Sequence, residues 1–269
     1  MAEAKTKTAT KAVKKPTTKI DPILKQLLEA GVHFGHRTAR WNPKMAPYIY
    51  GARGGVHIIN LEKTAENLKT AEAAVEAITK QGGQVLFVST KRQAQDTVKQ
   101  AAVSAGMPYV TYRWLGGMLT NLETIKQRIS RMKKLEAQVA DGSFDTAIKK
   151  ERLRLTEEME KLQKIFTGVR DMYGVPAMIF VVDVPREDTA IAEANKLGIP
   201  VVALTDTNAN PDGIDYVIPG NDDALRAVAL ISERIANAAL KGSSEYIAKA
   251  AEVAPEPEEE NDKPTVGRA

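Results

Sequence analysis

The chain of 269 residues has no cysteine. That excludes disulfides, thiolate metal sites and cysteine nucleophiles, and it fits a reducing compartment. No run of about 18 apolar residues occurs, so no membrane-spanning helix is expected. The Lys/Thr/Ala-rich opening lacks the apolar core of a secretory signal. The usual nucleotide signatures are missing as well. No G-x-G-x-x-G follows a strand pattern, and there is neither a G-x-x-x-x-G-K-[ST] loop nor a G-x-S-x-G elbow. The pairs Gly54-Gly55, Gly82-Gly83 and Gly116-Gly117 lack the spacing that would aim helix-terminal N–H groups at a pyrophosphate. There are three histidines, His33, His36 and His57, and no serine stands out as their nucleophile. Catalysis is therefore not expected, and neither is a cofactor.

What is present is unevenly distributed. The net charge is +4. Residues 1–19 contribute six Lys against one Glu, whereas residues 243–269 hold seven acidic and three basic side chains. The body between them is close to neutral, so a nucleic-acid surface has to come from local clustering. Both ends have the composition of disordered tails, basic over 1–19 and acidic over 243–269.

The body alternates apolar runs with helical patterns. Val85–Ser89, Tyr109–Arg113, Ala177–Asp183, Pro200–Asp206 and Tyr216–Ile218 read as strands. Stretches 62–80, 92–105, 187–197 and 222–240 read as helices, with Gly198 a left-handed stop. Continuous apolar strands separated by helices predict a parallel sheet covered on both faces, a Rossmann-like or flavodoxin-like α/β fold. One segment departs from this rhythm. From Thr120 to Phe166, Leu122, Ile125, Ile129, Met132 and Leu135, then Leu155, Met159 and Leu162, recur at helical spacing about a turn at Asp141-Gly142-Ser143. This predicts an inserted antiparallel coiled-coil hairpin, opened by the capping-box pattern Thr120-x-x-Glu123.

The segment Gly31–Leu61 carries the functional signal. It holds no Asp or Glu, all three His, Arg37, Arg40, Lys44 and Arg53, four aromatics and five Gly. Its glycines and prolines predict mostly irregular loop. Acid-free, basic, Gly-rich and aromatic is the composition expected where backbone approaches phosphate. A second acid-free window, Thr97–Leu122, contains Tyr112, Arg113 and Trp114. Ser89-Thr90-Lys91-Arg92 stands where a strand meets a helix, a suitable place to face phosphate. The RNA-contact candidates are thus Arg37, Arg40, Lys44, Arg53, Lys91, Arg92 and Arg113, with Trp41 and Trp114 bracing their loops. Asp183 and Asp206 end apolar strands, where open α/β sheets bind ligands, although a turn or helix cap explains them more simply. Were a divalent metal held, His33, His36 and Asp206 are the candidate ligands; two imidazoles alone fall short of a structural zinc site.

The stretches AGVHFGHRTARWNPKMAPYIYGARGGVHIINLEKT, LFVSTKRQA, YRWLGGMLTN, DMYGVPAMIFVVD and EANKLGIPVVALTDTNANPDGIDYVIPGNDDA resemble, in order over about residues 20–242, the bacterial small-subunit ribosomal protein two (uS2) family. The resemblance implies an α/β domain with a protruding coiled coil, contacts with small-subunit rRNA and neighbouring ribosomal proteins, and support for docking of the mRNA-binding ribosomal protein one. Two positions depart from the family pattern: Ser89 replaces a usual Gly, and Asp188 a frequent His. The expected organisation is a basic tail (1–19), an α/β domain (20–118 plus 168–242), a hairpin insertion (119–167) and an acidic tail (243–269). The expected role is a structural, rRNA-binding constituent of the 30S subunit, cytoplasmic and ribosome-bound, with no membrane partner and no independent homo-oligomer. The alternatives are a sheet-edge small-molecule enzyme using Asp183 and Asp206, and a coiled-coil adaptor acting off the ribosome.

Overall fold

A computed structural model describes residues 21–143 and 148–253. The chain opens with helix α1 (Pro22–Glu29), whose first turn is capped by the Asp21 carboxylate. Three short strands follow, β1 (Phe34–Arg37), β2 (Ile49–Arg53) and β3 (Val56–Ile59), and then α2 (Leu61–Thr79). The Asn60 side chain accepts from the N–H groups of Glu62 and Lys63 and so fixes where α2 begins. Next come β4 (Val85–Val88), α3 (Gln95–Ser104), β5 (Tyr109–Val110), α4 (Leu122–Ala140), α5 (Lys149–Phe166), β6 (Met178–Val182), α6 (Asp188–Leu197), β7 (Val201–Thr205), β8 (Tyr216–Pro219) and α7 (Leu225–Val253).

Strands β4 to β8 form a parallel sheet in the order β5-β4-β6-β7-β8. The first of these strands in sequence therefore lies between the second and third, the doubly wound order of flavodoxin-like sheets. The apolar runs behave as a sheet buried on both faces requires. Val85, Phe87, Met178, Phe180, Val182, Val202 and Leu204 point into one core with α1, α2, α3 and α7. Their alternates Leu86, Val88, Ile179, Val181, Val201 and Ala203 point into a second core with α6 and the roots of α4 and α5. Phe87 and Phe180 meet edge to face, with ring centroids 5.3 Å apart. Gly198 takes a φ of 69° and ends α6 as expected.

Four local expectations are corrected. Gly31–Leu61, expected to be mostly irregular loop, contains a three-stranded antiparallel sheet in the order β1-β3-β2, although more than half of the segment lies outside the strands. Its strands are four or five residues long, with β1 and β2 half-exposed and β3 mostly intermediate in burial, so they carry no clean alternation of polarity. The strand pattern expected over Tyr109–Arg113 stops at Val110. Thr120 does not form a capping box; Asn121 is the N-cap of α4, and the Thr120 hydroxyl donates to Glu193 instead. The last helix does not stop near 240 but runs to Val253, into the stretch assigned to the acidic tail. It is held there by the turn that follows α2. Lys80 pairs with Glu245 at 3.2 Å, and Gly82 leaves room for the Tyr246 ring, which a Cβ would meet at 2.7 Å. The basic tail expected over 1–19 and the stretch beyond 253 lie outside the described residues.

Candidate nucleic-acid interface

All strands of a parallel sheet end at the same edge, so the loops after β4, β5, β6, β7 and β8 are gathered there. The small sheet is fastened to this edge. The His36 N–H donates to the Thr207 hydroxyl at 2.9 Å, and the Asn42 N–H donates to the Thr207 carbonyl at 2.7 Å. The Asn221 N–H donates to the Val32 carbonyl at 3.0 Å. The approach explains Gly35, where a Cβ would lie 2.6 Å from Thr207 Cγ2 and 3.2 Å from the His57 carbonyl. The first acid-free segment is thereby brought beside the loops that carry the other candidates.

Arg37, Arg40, Lys44, Arg53, Arg92 and Arg113 are all exposed. Lys44 pairs with Asp212. The five arginines have no carboxylate partner among the described residues, so their charge faces solvent. Trp114 is half-buried with its indole N–H on Glu193, and Trp41 lies 5.1 Å from the His57 ring, positions consistent with bracing. Two aromatics of the acid-free windows to which the sequence assigned no role are more exposed than either tryptophan: Tyr50 at 80 % and Tyr112 at 56 %. They sit close in sequence to Arg53 and Arg113, which offers a flat apolar face beside each cation. Only exposure separates them from core tyrosines, and composition carries no signal for that.

Lys91 is placed differently. Its Nζ is turned inward, 2.6 Å from Asp223, 2.8 Å from Asp222 and 3.7 Å from Asp183. Burial acts to lower its pKa, but the bonds to Asp222 and Asp223 outweigh that and raise it. Burial, reinforced by the neighbouring Asp206 charge, pushes the Asp222 carboxyl up to about 6. His36 completes the cluster. Its Nδ1 lies 3.0 Å from Asp206 and its Nε2 3.5 Å from Asp223. The Asp206 contact raises the imidazole pKa above its ordinary value despite partial burial.

Asp183 and Asp206 thus stand at strand ends, but as parts of a cluster in which four carboxylates share Lys91 and His36. Asp183 has a φ of 71°, and its carbonyl accepts from the N–H groups of Arg186 and Glu187, which makes it the pivot of a tight turn. For a metal, His36, Asp206 and Asp222 offer ligand atoms within 4.8 Å of one another. Three ligands are one short of a structural zinc site, and Lys91 already brings a cation to Asp222. His33 lies outside this group. It lines an apolar groove with Leu24, Leu28, Tyr50, Ile58 and Leu61, and partial burial lowers its pKa. No helix among the described residues is long and apolar enough to cross a membrane.

Comparison with known proteins adds two findings. A family model described as Ribosomal protein S2 matches residues 27–242. A protein of Shewanella piezotolerans (strain WP3 / JCM 13877) named small ribosomal subunit protein uS2 is 54 % identical over 229 residues, which cover 85 % of this chain and 95 % of that relative.

Proposed function

The chain belongs to the ribosomal protein S2 family, and on that footing we propose that it is a structural constituent of the small ribosomal subunit, ribosome-bound in the cytoplasm, with no catalytic role. It contacts rRNA through the loops at the carboxyl edge of its parallel sheet. The observation that carries this reading is the set of exposed, uncompensated arginines, Arg37, Arg40, Arg53, Arg92 and Arg113, on acid-free segments of a body that is nearly neutral. Phosphate contacts of this kind position a protein on folded RNA rather than read its sequence. Lys44 joins them by exchanging Asp212 for phosphate. Lys91 serves instead as the internal counter-ion of the edge.

The remaining partners follow from the same reading. Helices α4 and α5 act as a coiled-coil hairpin, residues 119–167, inserted into an α/β domain made of 20–118 and 168–242. The paired arms support this, with Arg131 bridging to Glu158 through bonds of 3.0 and 3.2 Å and Gln163 donating to Glu136 at 2.8 Å. Residues Ile125, Ile129, Met132 and Leu135 are buried along the α4 seam. The hairpin and the outer surface meet neighbouring small-subunit proteins, ribosomal protein one among them.

Charge removal tests the proposal. The variant Arg37→Ala/Arg40→Ala/Arg113→Ala is added to small-subunit particles assembled without this protein, over a range of salt. Each lost phosphate contact lowers the salt slope by about 0.7–0.9, so the triple variant loses about 2–3 in slope as well as affinity. An unchanged slope refutes the assignment.

A further inference from the structure

The loops 89–92 and 111–121 contain no carboxylate, yet each is anchored by one that comes from α6. Glu193, 8 % exposed, has both oxygens occupied. Its Oε1 accepts from the Trp114 indole N–H at 3.2 Å and the Gly117 N–H at 2.7 Å. Its Oε2 accepts from the Leu119 N–H at 3.0 Å, and from the N–H and hydroxyl of Thr120, both at 3.1 Å. Glu187, 2 % exposed, stands at the N-cap of the same helix. Its Oε1 alone accepts from the Thr90 N–H at 2.7 Å and the Thr90 hydroxyl at 2.6 Å, while Arg186 Nε donates to that hydroxyl at 2.9 Å.

A glycine-containing loop such as 114–120 samples many conformers unless its N–H groups are fixed. Bonds from backbone N–H to an ionised carboxylate are the strong kind. Placing that carboxylate behind the loop also keeps negative charge away from the face that carries Arg113, which an acid inside the loop would not do. The same logic holds at Thr90, two residues before Arg92. We propose that α6 is a two-point clamp, in which Glu187 and Glu193 are positioning residues that hold the 89–92 and 111–121 loops in the form that presents Arg92 and Arg113 to RNA phosphate. This rests on the reading of those loops as RNA-facing.

The two glutamates differ in a way that makes the idea testable. A Glu193→Gln change turns one acceptor into an NH2 that opposes N–H donors, whichever way the amide faces. A Glu187→Gln change can keep its carbonyl on Thr90. The full chain is used throughout; quenching is read with Trp41→Phe, which leaves Trp114 as the sole tryptophan, and association is read with Trp41 in place. Acrylamide quenching of Trp114, thermal unfolding and association with small-subunit particles lacking this protein are measured together. Glu193→Gln should expose Trp114 and weaken association about tenfold through lost preorganisation, while Glu187→Gln stays within about threefold and Glu187→Ala does not. Arg113→Ala should weaken association without altering the quenching. If Glu193→Gln frees Trp114 while association is unchanged, and Arg113→Ala still weakens it, the clamp is overturned and the RNA reading stands. If Arg113→Ala also has no effect, the loop does not face RNA and both ideas fall. Unaltered quenching in Glu193→Gln overturns the clamp directly. Should that variant not fold, Glu187→Ala against Arg92→Ala makes the same comparison at the other loop: an effect of Arg92→Ala alone overturns the clamp, and no effect of either overturns both ideas.

Discussion

Lys91 offers a sharp test of what holds the carboxylates together at the sheet edge. The substitution Lys91→Met keeps an unbranched side chain out to Cε and removes the ammonium. Asp222, 2 % exposed, then faces Asp206, 1 % exposed, with no cation bonded to it. Asp223 matters less, because its side chain is 58 % exposed and solvent screens it. Removing one partner of a buried pair costs about 3–5 kcal/mol. At about 2–4 °C per kcal/mol for a chain of this size, the melting temperature should fall by about 6–20 °C at pH 8. The loss carries a pH signature. A carboxyl raised in the folded state, as Asp222 is from 3.8 to about 6, gives its stabilisation below its ordinary value and loses it as the pH rises through the folded one. Ionised Asp222 is therefore a burden at neutral pH that Lys91 lessens. Without Lys91 the burden grows and the carboxyl titrates still higher, so the deficit shrinks as the pH falls from 8 towards 5. Thermal melts followed by circular dichroism at pH 8, 6.5 and 5 measure this directly. A deficit below about 1 kcal/mol at pH 8, or one that grows on acidification, would refute the assignment of Lys91 as a counter-ion. The double variant Lys91→Met/Asp222→Asn should recover most of the loss.

Three further outcomes are expected. Hydrogen bonds hold the Glu193 carboxyl below its ordinary value of 4.5, although burial acts to raise it. Its stabilisation is thus fully present above pH 4.5 and fades as the pH falls below, so the stability gap between wild type and Glu193→Gln should be constant from pH 5 to 8 and narrow in acid. Gly35→Ala forces a Cβ against Thr207 and should destabilise by about 1–3 kcal/mol in urea unfolding, with partial recovery on adding Thr207→Ala. Asn60→Ala removes the cap of α2 and should cost about 1 kcal/mol in the same assay, with no effect on RNA association at saturating protein.

The parallel sheet was legible because β4, β6 and β7 at its centre are continuous apolar runs, as a sheet covered on both faces requires. The small sheet was not, because β1 and β2 are half-exposed and rich in Gly and Arg, so their pairing rests on partners in β3 and on Thr207 far along the chain. The exposed arginines were legible as a composition, whereas the inward turn of Lys91 was not. Its acids lie 92 to 132 residues away in sequence, and only the fold makes them neighbours. Glu193 was hidden for a related reason. A window without acids draws the eye to its cations, and the carboxylate that holds it belongs to another element. The length of α7 depended likewise on Lys80 and Gly82, which no reading of residues 243–253 alone reveals.

That last helix sets a condition on how the protein is made. Helix α7 packs more extensively on α2 than any other pair of elements do on each other, and Arg234 bridges to Glu72 across the seam. Yet α2 ends at Thr79 and α7 at Val253. At about 5–20 residues per second, α2 leaves the synthesising ribosome roughly 9–35 s before its partner helix is complete. Through that interval the α2 face that carries Leu68, Ala71 and Val75 lacks its most extensive partner, although α1 is already made. A nascent chain thus leaves part of that face open to solvent until α7 emerges, and truncations that remove α7 should aggregate rather than fold.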